Sequence, residues 1–249
     1  MTYDVIDRAR RRAARRRLTT ICLTAVALSA AVAAAVVATT APSRPADSPP
    51  GRAMSTFAVT GATPGGETQR PTDLEWVDVA GVSVPVSSRS GPRITDGGQA
   101  RGFAHDQVGA LLAAVHIVVR INPQVGPDVF EPTLRDQVVG PHAAAMRVQV
   151  AQAYDELRAQ LSGQPLGRLT AILEGYRIVS YHDDEAAVRL LTEAPAANGV
   201  PLLVVAEVRV RWTGSDWALL APAGGTFEQT VMAASDADTA TFLPFTVGG

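Results

Sequence analysis

The chain has 249 residues, 47% of them hydrophobic and 18% charged, with a formal net charge of −2, enough for one medium domain with extensions. All 22 basic residues are arginine: residues 1–17 hold seven against two acids (+5), and the rest holds 15 against 22 acids (−7). A basic stub before a mildly acidic body argues against nucleic-acid binding by that body, and Cys22, the one cysteine, excludes an intrachain disulfide.

In chain order, the stub (residues 1–17) carries Arg11, Arg12, Arg15, Arg16 and Arg17 directly before an apolar run. LTTICLTAVALSAAVAAAVVA (residues 18–38) is 21 residues without a charge, and a helix of that length spans roughly 30 Å, the hydrocarbon core of a bilayer. The spacing predicts a transmembrane helix over residues 18–41. The arginines hold the N-terminus in the cytoplasm by the positive-inside bias and place the body outside. A cleaved signal peptide has the same basic-then-apolar order. This run, however, is longer than the usual signal core, and Ala-Thr-Thr-Ala before Pro42 is a poor cleavage site.

Residues 42–72 (PSRPADSPPG, TPGGETQRP) are rich in Pro, Gly, Ser and Thr, and read as an extended tether. A strand-like piece follows at Trp76, Val77, Val79, Val82, Val84 and Val86, interrupted by Gly81 and Pro85, which suits a domain edge. Ala104, Val108, Leu111, Leu112, Val115 and Val119 recur at helical spacing until Asn122-Pro123 stops the helix. A second helix is expected over about 127–139. A third is expected over about 142–161, with Ala145, Val148, Gln152, Leu157 and Leu161 as an incomplete apolar stripe.

The period then changes to two. Residues 169–181 read as a strand bending near Gly175, HDDE as a turn, residues 186–194 as the next strand, and LLVVAEVRVRW (202–212) as the clearest strand. In the last of these Val204, Ala206, Val208, Val210 and Trp212 face one way, and Glu207, Arg209 and Arg211 the other. Thr213-Gly214-Ser215-Asp216 turns into WALLAP. From Ala223 the chain has no Arg and little pattern, and reads as a loosely held tail, with Phe242, Leu243 and Phe245 as candidates for docking. Helices followed by an antiparallel meander predict an α+β domain of about three helices on a curved four-stranded antiparallel sheet, over residues 73–222.

The histidines are the candidates for acid–base chemistry. His182 stands in the charged HDDE turn and His142 follows Gly-Pro, both expected at the surface; no His or Cys spacing suits a metal, and no nucleophile or phosphate-loop motif is present. In GFAHDQVGALLAAVHI, Asp106 suits a helix N-cap. His105, Leu112 and His116 share one side of that helix, which aims His116 either into a pocket or at the edge of the apolar face. Gly109, Ala113 and Ala114 suit close packing. Trp212 and Trp217 flank the hairpin turn, as a cross-strand pair or as a partner contact.

The element order resembles the VirB8-like branch of the NTF2-like superfamily. VRVRWTGSDWALL is similar to the Trp-turn-Trp strand pair near the end of such domains. WVDVAGVSVPVSSRSGP and GFAHDQVGALLAAVHI look like segments of membrane proteins on actinobacterial conjugative elements. The resemblance covers about residues 74–222. It implies a single-pass, non-enzymatic scaffold of a conjugative, type IV secretion-like apparatus, without a cofactor, that assembles with itself and with other transfer proteins. Two alternatives share this type of fold: an accessory subunit of a cell-envelope lipid-transport system, and a SnoaL-like enzyme with His116 in an open cone. Fold alone does not choose among them. The residues expected at a pocket or partner contact are His116, Trp212 and Trp217.

Overall fold

The computed structural model describes residues 69–195 and 201–245. The basic stub with Arg11, Arg12, Arg15, Arg16 and Arg17, the expected transmembrane helix and nearly all of the tether lie outside these residues. Among the described residues no helix is long and apolar enough to cross a membrane.

The strand-like piece is a separate two-stranded hairpin, β1 (Leu74–Val79) and β2 (Val82–Ser87). Gly81 is its turn: Ala80 and Gly81 have φ of 52° and 108°, the left-handed pair that matches the twist of a tight hairpin. Pro85 stays inside β2, opposite Trp76; a two-stranded sheet has only edges, where the missing N–H costs little.

Helix α1 (Gln107–Arg120) starts where expected, with Asp106 accepting from the Gly109 amide at 2.6 Å. Asn122 ends it and caps a 3₁₀ turn at Pro123–Val125. The expected single apolar face proves too narrow a description. Every residue from Val108 to Ile117 is buried, because α1 lies between β2 on one side and the main sheet on the other. Gly109 permits the closest approach, since a Cβ there would stand 2.1 Å from the Ala104 carbonyl oxygen.

Helix α2 (Pro127–Asp136) ends short of the expected 139, because Val138–Val139 form strand β3. Helix α3 (Ala143–Leu161) matches its expected span, but its stripe is corrected. Ala143, Met146, Val150 and Leu157 are the buried positions, and Val148 is 63% exposed. The reason is the neighbour: α3 packs on α2 and on two 3₁₀ turns, Pro123–Val125 and Ala223–Gly225, rather than broadly on the sheet.

The main sheet holds β4 (Ile172–His182), β5 (Glu185–Pro195), β6 (Pro201–Trp212) and β7 (Trp217–Leu220), the antiparallel meander that the alternation predicts. The expected bend near Gly175 is a register shift between Leu173 and Gly175, with a second between Ile178 and Ser180. Three short strands extend this core of four. β3 pairs parallel with β7, β8 (Val231–Ala233) pairs with the N-terminal part of β6, and β9 (Leu243–Pro244) pairs with β4.

The segment read as a loose tail is therefore part of the fold. Between β8 and β9 it passes a four-residue helix, α4 (Asp236–Thr239), and runs from the β6 edge to the β4 edge. It crosses the face that carries Arg177, whose guanidinium bonds Thr241 Oγ1 at 3.1 Å and lies over the Phe242 ring. Gly175 seats it, since a Cβ there would meet the Leu243 carbonyl oxygen at 2.9 Å. Phe245 then turns into the core against Tyr176 and is 2% exposed. One contiguous core joins α1, β2, the inner face of the sheet, Phe227 and Phe245. The fold is α+β, with α1 as its centre.

Candidate functional site

Three places in the described domain gather chemistry-bearing side chains: the core side of α1, the open end of the β6–β7 hairpin, and the face of the sheet turned away from α1.

On α1, His116 is completely buried. Its Nε2 lies 2.8 Å from the Pro85 carbonyl oxygen and its Nδ1 2.8 Å from Nη1 of Arg120. A carbonyl only accepts and a guanidinium only donates, so Nε2 carries the proton and the ring is neutral. Burial, then the Arg120 charge, push its pKa down to about 3, against the pull of the Pro85 carbonyl. Burial alone brings Arg120 down to about 10. Both ring nitrogens are spent on the protein, and Phe103 covers the ring at 5.7 Å between centroids. A histidine so enclosed has no nitrogen to offer a substrate.

At the hairpin end, three motifs that look independent along the sequence meet. The Asp216 carboxylate accepts from the Gly102 amide at 2.7 Å, the Phe103 amide at 3.1 Å and the Trp217 amide at 2.9 Å. Trp217 Nε1 donates to the Ala104 carbonyl at 2.9 Å. The hairpin thus grips residues 102–104 and fixes the chain leading into α1. That grip lays the His105 ring flat on Trp212, with centroids 4.0 Å apart and planes 7° from parallel, and edge-on to Trp217. The two tryptophans are register partners with rings 5.5 Å apart. His105 Nε2 donates to the Asp183 carbonyl, and the Asp184 carboxylate stands 3.9 Å away. The GFAHD and HDDE segments are therefore one structural unit. Tyr181 packs beside it, and burial, then the charges of Asp106 and Asp183, raise its phenol pKa. Trp217 is buried and Trp212 half-buried, so of the pair Trp212 is the one with surface to present.

The outward face of β6 forms the floor of a groove of about 530 Å³. Glu207, Arg209 and Arg211 rise from the strand. Pro141 and His142, just before α3, wall one side, Leu220, Pro222 and Ala223 supply apolar surface, and the buried Phe227 backs it. Glu185 of β5 reaches both arginines, bonding Arg209 Nη2 and, at 3.0 Å, Arg211 Nη2. Burial works to raise the Glu185 carboxyl, and the two arginine bonds outweigh it and hold it low. Glu207 is tied to Arg189 at 3.0 Å. The alternation along β6 places these three side chains opposite the core from sequence alone. The groove itself depends on β7, α3 and the chain after residue 220, which no local pattern brings together.

Among the described residues no group of three His, Cys, Asp or Glu is placed to hold a metal ion. The two solvent-facing arrangements are an aromatic end, with His105 on Trp212, and a charged groove, with Glu207, Arg209, Arg211 and His142 in its lining.

Comparison with known proteins finds no match among curated proteins and none among solved structures. A family model, a domain of unknown function (DUF8175), matches residues 34–241, most of the chain, which therefore belongs to that family.

Proposed function

We propose that the chain is a single-pass membrane scaffold of a conjugative, type IV secretion-like transfer apparatus. Residues 18–41 hold it in the cytoplasmic membrane, and its α+β domain assembles with partners outside. The observation that carries this reading is the order of the sequence: a basic stub, 21 uncharged apolar residues, a Pro-rich tether and then a folded domain. The element order and the Trp-turn-Trp hairpin, which resemble the VirB8-like branch of NTF2-like domains, support this type of apparatus. The enclosure of His116 by Pro85 and Arg120 supports an assembly role over a catalytic one.

In this reading the positive charges of the stub stay inside, the tether gives the domain reach, and the aromatic end and groove meet other proteins. The test uses the full-length chain with a C-terminal tag, expressed in its host. We expect recovery in the membrane fraction, resistance to alkaline extraction and protease sensitivity of the tag in spheroplasts. Deletion of the coding sequence is expected to lower conjugative transfer at least a hundredfold. Full-length protein in the soluble fraction, or unchanged transfer after deletion, overturns the proposal. Lost lipid uptake with unchanged transfer supports the lipid-transport alternative instead.

A further inference from the structure

We infer that the groove on the outer face of β6 is the docking site for an extended acidic segment of a partner protein, read by Arg209 and Arg211. This deepens the assembly reading by naming the surface and the chemistry of what it binds.

The first observation is spacing. Arg209 and Arg211 stand two apart on one strand, so their side chains share a face about 6.7 Å apart along it. That is also the spacing of side chains i and i+2 in any extended peptide. From Glu207 to Arg211 the floor measures about 13 Å, room for four or five extended residues, and the groove volume of about 530 Å³ suits a short peptide segment better than a lone anion.

The second observation is charge. The body beyond residue 17 carries −7, yet this groove runs against that balance. Its lining holds two arginines and one acid, Glu207, which is already tied to Arg189. Counting Glu185 as well, the network has three arginines (189, 209, 211) against two carboxylates (185, 207), leaving one positive charge in excess.

The third observation is availability. Arg209 and Arg211 have side chains 54% and 48% exposed. Glu185 contacts a single Nη of each, and a guanidinium has five donors, so most of theirs remain for an incoming carboxylate. Half-exposed ion pairs are weakly held, and the Glu185 contacts present little barrier to rearrangement. The apolar side of the groove, Leu220, Pro222 and Ala223, gives the intervening residues of the segment a surface to cover. Acids two apart with an apolar neighbour are therefore the expected recognition pattern, with carboxylate–guanidinium bonds for specificity.

The experiment pans a phage-displayed library of random twelve-residue peptides on the full-length protein in detergent. The variant R209Q/R211Q is panned in parallel, its fold checked by thermal melting and near-ultraviolet circular dichroism; if it fails to fold, Arg209→Gln alone replaces it. We expect enrichment of peptides with Asp or Glu two residues apart. The best of them, made synthetically, should lose at least tenfold in affinity on the folded variant and at least tenfold between 50 and 500 mM NaCl, as screened charge contacts do. Recovered peptides without acidic enrichment, or with equal affinity for the folded variant, overturn the proposal. Binding of phosphatidylglycerol vesicles in place of any peptide overturns it in favour of a lipid surface. Recovery of sequences like Asp183-Asp184-Glu185, with self-association lost in D183N/D184N, overturns it in favour of a second copy of the chain. Panning reads neither membrane retention nor transfer, so this proposal and the assembly reading fail on separate results.

Discussion

A histidine in a protein core is stable only while neutral, and His116 shows what that demands. Its Nε2–H is satisfied by Pro85 and its Nδ1 lone pair by Arg120, so protonation would set two cations in contact inside the core. The unfolded chain titrates this ring near 6.5 and the folded one at about 3. Between those values only the unfolded chain takes up the proton, so stability rises with pH across that window and is lost as pH falls from 6.5 toward 3. Each pH unit removes up to about 1.4 kcal/mol from this source. Urea unfolding of the full-length chain at pH 7.5, 5.5 and 4.5 should show this slope, and His116→Gln, which does not titrate, should flatten it. An equal slope in both proteins would remove the ring from the account. Carboxylates held low, such as Asp73 and Asp136, act at lower pH and are common to both. The helical spacing leaves His116 either in a pocket or at the edge of the apolar face, and the folded chain encloses it completely. Its role depends on Pro85, 31 positions away, and no helical pattern encodes that contact.

Among the elements, the β6–β7 hairpin does more than turn the chain. Asp216 holds three amides, two of them in a segment more than a hundred positions earlier. Asp216→Ala leaves those N–H groups without the carboxylate, at an expected cost of about 2–4 kcal/mol. Because the same grip seats His105 on Trp212, the substitution should also alter the near-ultraviolet signal of the tryptophans. Thermal melting and circular dichroism together check this, and an unchanged tryptophan signal would mean that the stack forms without the grip. Trp212 and Trp217 are a cross-strand pair, one of the two readings that their spacing supports, and the structure adds His105 as the third ring. Helix α1 carries a related lesson. Its N-cap, start and stop are written locally in Asp106 and in Asn122-Pro123, yet its burial on all sides follows from β2 and the sheet enclosing it.

For the whole molecule, closure comes from the C-terminal segment. It begins on the β6 edge, crosses the outer face and ends with Phe245 in the core, in contact with Tyr176 and with Trp76 of the N-terminal hairpin. The C-terminal segment thus closes on the N-terminal hairpin. Phe245→Ala removes a ring that is 2% exposed, and a loss of about 3–5 kcal/mol is expected from the cavity. Hydrogen exchange should show the added opening first along β4, whose outer edge, among the described residues, pairs only with β9. Exchange unchanged at β4 would mean that the segment rests on the sheet without supporting it.

What depends on near neighbours is legible in the chain: the change of period from helix to strand, the Asp106 cap, the hairpin turn at residues 213–216, and the two faces of β6. These features follow from backbone sterics, local hydrogen bonding and side-chain alternation within a few residues. Packing of the folded chain sets the features assembled over long separations. These are the short strand β3, the buried stripe of α3, the enclosure of His116, the joining of His105 to Asp183 and Trp212, the anchoring of Phe245, and the groove beside Arg209 and Arg211. Each depends on which surfaces the folded chain brings into contact, and burial is a property of those contacts. A residue's own neighbours along the chain say which way it can face, and the packed molecule determines what it faces.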